Sequence, residues 1–219
     1  MPKKLVWDAQ GEHFYQTGTK KGVLFPAASA GGYGAGVAWN GLTAVTESPS
    51  GAESNPVYAD DIKYLDIRSA EEFGFTIEAL SFPDEFYPCL GMKEVTPGIV
   101  INLQNRSAFG FSYVSTIGND TAGTELGYKI HLIYGATVSP SEENYQTINE
   151  NPEPTSMSWE ATTVPVAATG HKPLARITID STKVDSAKLA TFEAILYGSD
   201  EADARLPLPD EVFRLLKAA

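Results

Sequence analysis

Cysteine occurs once in 219 residues, at Cys89, so no disulfide can form within the chain. None is needed, because a globular chain this long buries roughly 70% of its unfolded surface. A lone thiol suits a reducing compartment. Histidine is almost as scarce. His13, His131 and His171 stand far apart, and none falls in an H-E-x-x-H or Cys/His spacing that would hold a metal. Basic residues are the minority charge, 16 against 28 acidic, for a formal net charge of −12. Such a balance suits solubility and repels phosphate backbones, which argues against a specific DNA-binding domain. No apolar run approaches the roughly 20 residues of a membrane-spanning helix. The N-terminal segment has lysines but no apolar core, so no secretion signal is expected there.

Catalytic chemistry is equally hard to assemble. Cys89 follows Pro88 in an apolar turn with no flanking base, which reads as a buried, inert thiol. His131 lies in a strand pattern, where a packed or surface imidazole is the ordinary outcome. The glycine cluster at 30–36 is followed neither by a helix start nor by a phosphate-binding lysine, and reads as a flexible or tightly turning loop. Asp60–Asp61 and Glu71–Glu72 are adjacent carboxylates that an extended chain would point to opposite faces, so neither pair is a ready-made acid/base dyad. The sequons at Asn105 and Asn119 carry no meaning without secretion. No set of nucleophile, base and oxyanion donors emerges, so the expectation is a non-enzyme without metal or cofactor.

What the chain does have is alternation. Residues 71–82 place Phe73, Phe75, Ile77 and Ala79 on one face and Glu72, Gly74, Thr76, Glu78 and Leu80 on the other, the pattern of a half-buried antiparallel strand. The same period of two runs through Phe109, Phe111 and Tyr113 in 108–117. It recurs in 126–138, where Tyr128, Ile130, Leu132 and Tyr134 alternate with Lys129, His131 and Ile133. Between these two runs, GNDTAGTE has the chemistry of a hairpin connection. Further strand candidates are 23–25, 36–39, 97–103 and 174–179. Two segments, 42–62 and 139–160, are expected as long loops. They carry four and five acidic residues and no basic one, and loops that long are usually functional or disordered. Helical signals are few: 185–198, capped by Asp185 or Ser186 and stopped by Gly198, and 209–217, opened by Pro209. A single turn at 83–91 is expected to break at Pro88. The organisation read from these patterns is one β domain with a helical C-terminal segment at about 185–217.

Three stretches carry a family resemblance. GVAWNGLTAVTESPSGAESNPVYADDIKYLDIRSAEEFGFTIEALSFPDEF at 36–86, SWEATTVPV at 158–166 and ILYGSDEADARLPLPDEVFRLL at 195–216 resemble the major tail proteins, or tail tube proteins, of long-tailed siphophages and prophages of Gram-positive bacteria. The resemblance implies a mainly β fold: a tail-tube-type β-sandwich or barrel over residues 1–219, with a flanking α-helix and a short C-terminal helix. It also implies a structural role. Hexameric rings stack through long loops and terminal arms, and their inner strands line the conduit through which DNA is ejected. The implied partners are further copies of the chain, the tape measure protein and the tail terminator and distal tail proteins. DNA passes without specific binding, and no membrane is involved. The implied location is the virion tail, assembled in the host cytoplasm.

Under that reading Leu5 and Trp7 of the N-terminal arm, with Glu47, Pro49, Glu53, Pro56, Val57 and Tyr58 of the 42–62 segment, are contact candidates. A merely solvated loop is the alternative there. Glu72, Thr76 and Glu78 are candidates for the lumen wall, where acidic groups would repel DNA over a Debye length of about 8 Å; a plain solvent face is the alternative. The tube of a tail-like bacteriocin or gene-transfer particle fits the same sequence, and a monomeric β-sandwich binding or adhesion module is a competing reading from another class.

Overall fold

The structure, a computed structural model, describes residues 4–28, 31–147 and 154–217. Strand accounts for 47% of it and helix for 13%, so the fold is mainly β, as expected. In chain order the strands are β1 (Phe14–Pro26), β2 (Val37–Trp39), β3 (Leu42–Glu47), β4 (Ser50–Gly51), β5 (Ser54–Ala59), β6 (Ile62–Arg68), β7 (Glu71–Glu72) and β8 (Gly74–Ala79). There follow β9 (Lys93–Thr96), β10 (Ile99–Ile101), β11 (Phe109–Asn119), β12 (Gly123–Val138), β13 (Met157–Thr163) and β14 (Arg176–Asp180). The helices are α1 (Tyr87–Leu90), preceded by a 3-10 turn at Asp84–Phe86, then α2 (Ser186–Tyr197) and α3 (Pro209–Leu216).

The main sheet runs β2-β1-β11-β12-β13-β8-β3, with β14 also on β12, and every pairing is antiparallel. Its outermost members, β2 and β3, are separated by only Asn40 and Gly41 and run in the same direction. They are therefore one strand bent at Gly41 (φ 81°), whose first part pairs with β1 and second part with β8. This bent strand rolls the sheet up. The closure is tight: a Cβ on Gly22 of β1 would lie 2.3 Å from Leu42 Cδ1. β12 bulges at Gly135, where one extra residue separates the Phe109–Ala136 and Phe111–Ile133 pairs. A left-handed φ of 61° and the Val164 carbonyl, 2.2 Å from any Cβ there, require glycine.

Two apolar layers result. Inside the roll, Trp39, Phe75, Phe109, Phe111 and Trp159 pack with Phe86, Cys89 and Leu90 of the turn and α1, which plug one end. The indole of Trp159 meets Trp39, Phe82 and Phe86 at tilted or edge-on angles, the geometry ring quadrupoles prefer. On the outside, Leu189, Phe192 and Leu196 of α2 and Val212 of α3 cover Phe25, Val114, Ile130, Leu132, Tyr134 and Ile179. β11 and the C-terminal half of β12 lie between the layers and are buried on both faces. Helix α2 starts and stops as its sequence predicts. Asp185 accepts from the N–H groups of Ala187 and Lys188 at 3.1 Å, and Gly198 ends it. Pro88, by contrast, does not break the turn at 83–91. It sits in the first turn of α1, where a missing N–H costs nothing, and the left-handed Gly91 terminates the helix.

The 42–62 segment is not one long loop. It is β3, a kink at Pro49–Gly51, and the first strand of a hairpin, β5–β6. The breakers mark only the kink. Asp60–Asp61, read as a strand pair, is the hairpin's two-residue turn, with both φ positive at 51° and 61°, as such turns require. Pro56 is tolerated because β5 pairs on one side only. The second expected loop, 139–160, ends earlier than expected. β13 begins at Met157 and buries Trp159, while residues 148–153 lie outside the described residues.

Strand directions give the roll two ends. At end A lie the start of β1 with the N-terminal arm, the β11–β12 turn, and the exit of β3 into the β5–β6 hairpin. At end B lie the exit of β8 into α1 and the β9–β10 hairpin, the start of β11, and the segment after β12.

Candidate assembly surfaces

Side chains that should be inside a core stand outside it at end A. On the β5–β6 hairpin Tyr58, Ile62, Tyr64 and Ile67 are 57–68% exposed, and Val57 and Leu65 are exposed as well. Register within the hairpin is fixed from Ser54–Arg68 to Ala59–Ile62. At its base the Asp66 carboxylate accepts from Ser54 Oγ at 2.6 Å and Lys63 Nζ at 3.0 Å, which hold it below the usual carboxylate range. The arm before β1 adds Leu5, Val6 and Trp7, each 70–74% exposed. Its root is tied down where Gly11 N–H donates to Asp120 at 3.1 Å and His13 Nδ1 lies 3.2 Å from the same carboxylate. That carboxylate raises the His13 pKa.

Pro56, Val57 and Tyr58 thus share one projecting element. Glu53 stands at its foot, where its N–H donates to Ser69 Oγ at 3.0 Å. Pro49 lines a cleft with Phe73, Lys172 and Arg176. Leu5 and Trp7 belong to the separate arm. Glu47 differs from the rest: its carboxylate is committed within the subunit, accepting from Tyr113 Oη at 2.9 Å and ion-paired to Arg176.

That ion pair belongs to a network sequence reasoning did not find. His131 stacks on Tyr113 with ring centroids 4.4 Å apart, and its Nε2 is 2.9 Å from Ser115 Oγ. On the other side of the ring, Nδ1 is 3.4 Å from Thr178 Oγ1 and 3.7 Å from Glu47 Oε1. Burial, then Lys129, pushes His131 down to about 4. Glu47 alone would favour the cation, but Arg176 already neutralises it, so burial decides and the imidazole is neutral at pH 7. The network ties β3, β11, β12 and β14 together, and no single sequence interval announces it. Cys89 is fully buried, and burial lifts its thiol to about 12.

The outward face of β3, β8 and β13 is of another kind. Cross-strand pairs align Thr46 with Thr76 and Glu160, Ala44 with Glu78 and Ser158, and Gly74 with Thr162. These ladder positions hold hydroxyls and two carboxylates and no basic residue. Thr76 and Glu78 lie on this face as their alternation implies. Glu72 does not join them: it sits on β7, paired with Ser50 of β4 and off the main sheet, because the chain breaks its ladder at Phe73.

The β9–β10 hairpin at end B was legible only as a strand. Val95, Ile99, Val100 and Ile101 are exposed on it, and Leu103 beyond it is 94% exposed. Pro97-Gly98, inside the expected strand 97–103, is instead the turn between β9 and β10, and nothing in the local sequence says that the hairpin's apolar residues face solvent. Among the described residues no group of three or more His, Cys, Asp and Glu could hold a metal ion, and no helix is long and apolar enough to cross a membrane. No protein-family model matches the chain, and no curated protein matches it.

Proposed function

We propose that the chain is the tube-forming subunit of a siphophage tail, a structural and non-enzymatic protein whose hexameric rings stack into the conduit for DNA ejection. The observation that carries this reading is the surplus of apolar surface at end A. The rolled sheet has a complete core of its own, yet the β5–β6 hairpin and the N-terminal arm hold Leu5, Val6, Trp7, Val57, Tyr58, Ile62, Tyr64 and Ile67 in solvent. Apolar surface of that extent on a soluble protein marks a surface that partners cover. A hairpin with no layer behind it is marginally stable alone and gains order from a neighbour. The acidic, hydroxyl-rich face of β3, β8 and β13 supplies a wall to which DNA phosphates would not adhere. The resemblance of residues 36–86 and 195–216 to tail tube proteins supports the same reading. In this role the chain works in the virion tail after assembly in the host cytoplasm, with the tape measure, terminator and distal tail proteins as neighbours.

Electron microscopy of the purified protein at high concentration tests it. Six-fold rings or tubes with a central pore are the expected result. A protein that stays monomeric by size-exclusion chromatography and shows no axial symmetry when co-assembled with its tail partners would overturn the proposal and favour the monomeric binding module.

A further inference from the structure

We infer that Asn40–Gly41, the bend that closes the roll, is a modification site where the chain deamidates spontaneously and its main chain converts to an isoaspartate linkage. This is independent of the tube reading. Asn-Gly occurs once in the sequence. Glycine leaves an asparagine vulnerable because it has no Cβ to obstruct attack by its own backbone nitrogen. Here the fold itself demands that glycine: φ is 81°, and a Cβ on Gly41 would lie 2.8 Å from Ser81 Oγ. Asn40 is exposed, and its backbone carbonyl accepts Ser81 Oγ at 3.0 Å. Among the described residues its carboxamide has no hydrogen-bond partner, and Gly41 N–H donates to no backbone carbonyl. Attack therefore breaks no bond of the ladder. Asn119, by contrast, precedes Asp120, and its carboxamide is committed to Gly11, Thr121 and Ala122.

The step balances with water alone. Gly41 N bonds to Asn40 Cγ as it gives up its proton, the Cγ–Nδ2 bond breaks, and ammonia leaves, closing a succinimide ring. Water then opens the ring. Attack at Cγ leaves an aspartate in an unaltered main chain. Attack at the Asn40 backbone carbonyl reroutes the chain through Cβ and Cγ and lengthens it by a methylene. That methylene falls where there is no slack. β2 is held to β1 from Gly22–Trp39 to Leu24–Val37, β3 is held to β8 from Leu42–Ala79 onward, and only the bend joins them. Leu80 N–H donates to the Gly41 carbonyl at 2.8 Å, and Trp39 Nε1 to the Ser81 carbonyl at 2.8 Å. Leu42 is already pressed against Gly22. The lengthened chain must push β3 or Trp39 out of place, and a close-packed aromatic layer absorbs such a shift poorly.

Ageing the full chain tests the site. Purified protein is held for days in mildly alkaline buffer, digested and mapped by mass spectrometry. Isoaspartate is read by methyl transfer from S-adenosylmethionine with an isoaspartyl methyltransferase. Conversion at Asn40 should outrun that at every other asparagine several-fold, and the aged protein should melt about 4 °C or more below the fresh protein. Asn40→Gln, whose longer side chain closes a ring far more slowly, should keep its melting temperature through the same treatment. Fresh Asn40→Asp should melt with the fresh parent, which separates the lengthened main chain from the added charge. Asn40 left intact while other asparagines convert, or no conversion at all, overturns the site. Full conversion without a change in melting, or fresh Asn40→Asp melting as low as the aged protein, overturns the effect on the closure.

Discussion

Excising residues 55–67 and joining Ser54 to Arg68 through an Asn-Gly turn should leave the rolled sheet folded and abolish tube formation. The boundaries follow the register. Ser54 and Arg68 are paired, and below them Glu53 N–H donates to Ser69 Oγ at 3.0 Å and Ser69 N–H to the Glu53 carbonyl at 3.2 Å, so the foot of the hairpin survives. A cut at 47–57 would instead remove Glu47, the partner of Tyr113 and Arg176, and strip β5 from β6. The excised side chains are almost all exposed, so little apolar burial is lost. Shortening the connection from thirteen residues to two lowers the closure entropy cost by roughly 1–2 kcal/mol. Loss of a marginal two-stranded pairing opposes this. The net change should be within about 1 kcal/mol, a shift of about 2–4 °C in Tm for a domain of this size. Circular dichroism melts read the folding, and negative-stain electron microscopy reads the tubes. A Tm lowered by more than about 10 °C would show that the hairpin supports the core. Normal tubes from the excised protein would show that it is not an assembly element.

Three further outcomes follow from particular side chains. Trp159→Ala empties a site that is 1% exposed at the centre of the inner aromatic cluster, and should cost about 3–5 kcal/mol in urea unfolding; a loss below about 1 kcal/mol would contradict the packing described. His131 is lowered from 6.5 to about 4, so between those values the unfolded chain binds the extra proton and stability should rise with pH. The full difference is roughly 3 kcal/mol, present above pH 6.5 and lost as pH falls toward 4. His13, raised by Asp120, acts in the opposite sense but above pH 6.5, where its contribution is lost as pH rises, so it leaves the window between 4 and 6.5 to His131. His131→Phe, which keeps the stack on Tyr113, should flatten the urea midpoint between pH 4 and 6.5, and an unchanged slope would refute the assignment. Glu78→Lys with Glu160→Lys should leave tubes intact but make them retain double-stranded DNA in co-sedimentation at low salt, released as salt rises. Tubes that still ignore DNA would show that this face does not line the channel.

The mainly β class, the faces of β8 and β12, the limits of α2 and the hairpin after β11 were all determined locally. Phe75, Ile77 and Ala79 alternate with Thr76 and Glu78 because side chains of an extended strand alternate, and Asp185 and Gly198 bracket α2 because cap chemistry acts within a few residues. The turn at Asp60–Asp61, flanked by Val57–Tyr58 and Ile62–Tyr64, was also written locally, but Pro49, Gly51 and Pro56 masked it. Other features were decided by the tertiary structure alone. A strand bent at Gly41 closes the sheet, and that closure brings Glu47, Tyr113, His131 and Arg176 together from four strands. Whether Ile62, Ile99 or Leu103 is inside or outside depends on what packs over it, and apolar residues read the same in either place. Only the direction of each strand in the roll shows that the two exposed hairpins leave from opposite ends, because ends exist only once the strands have been assembled into one sheet.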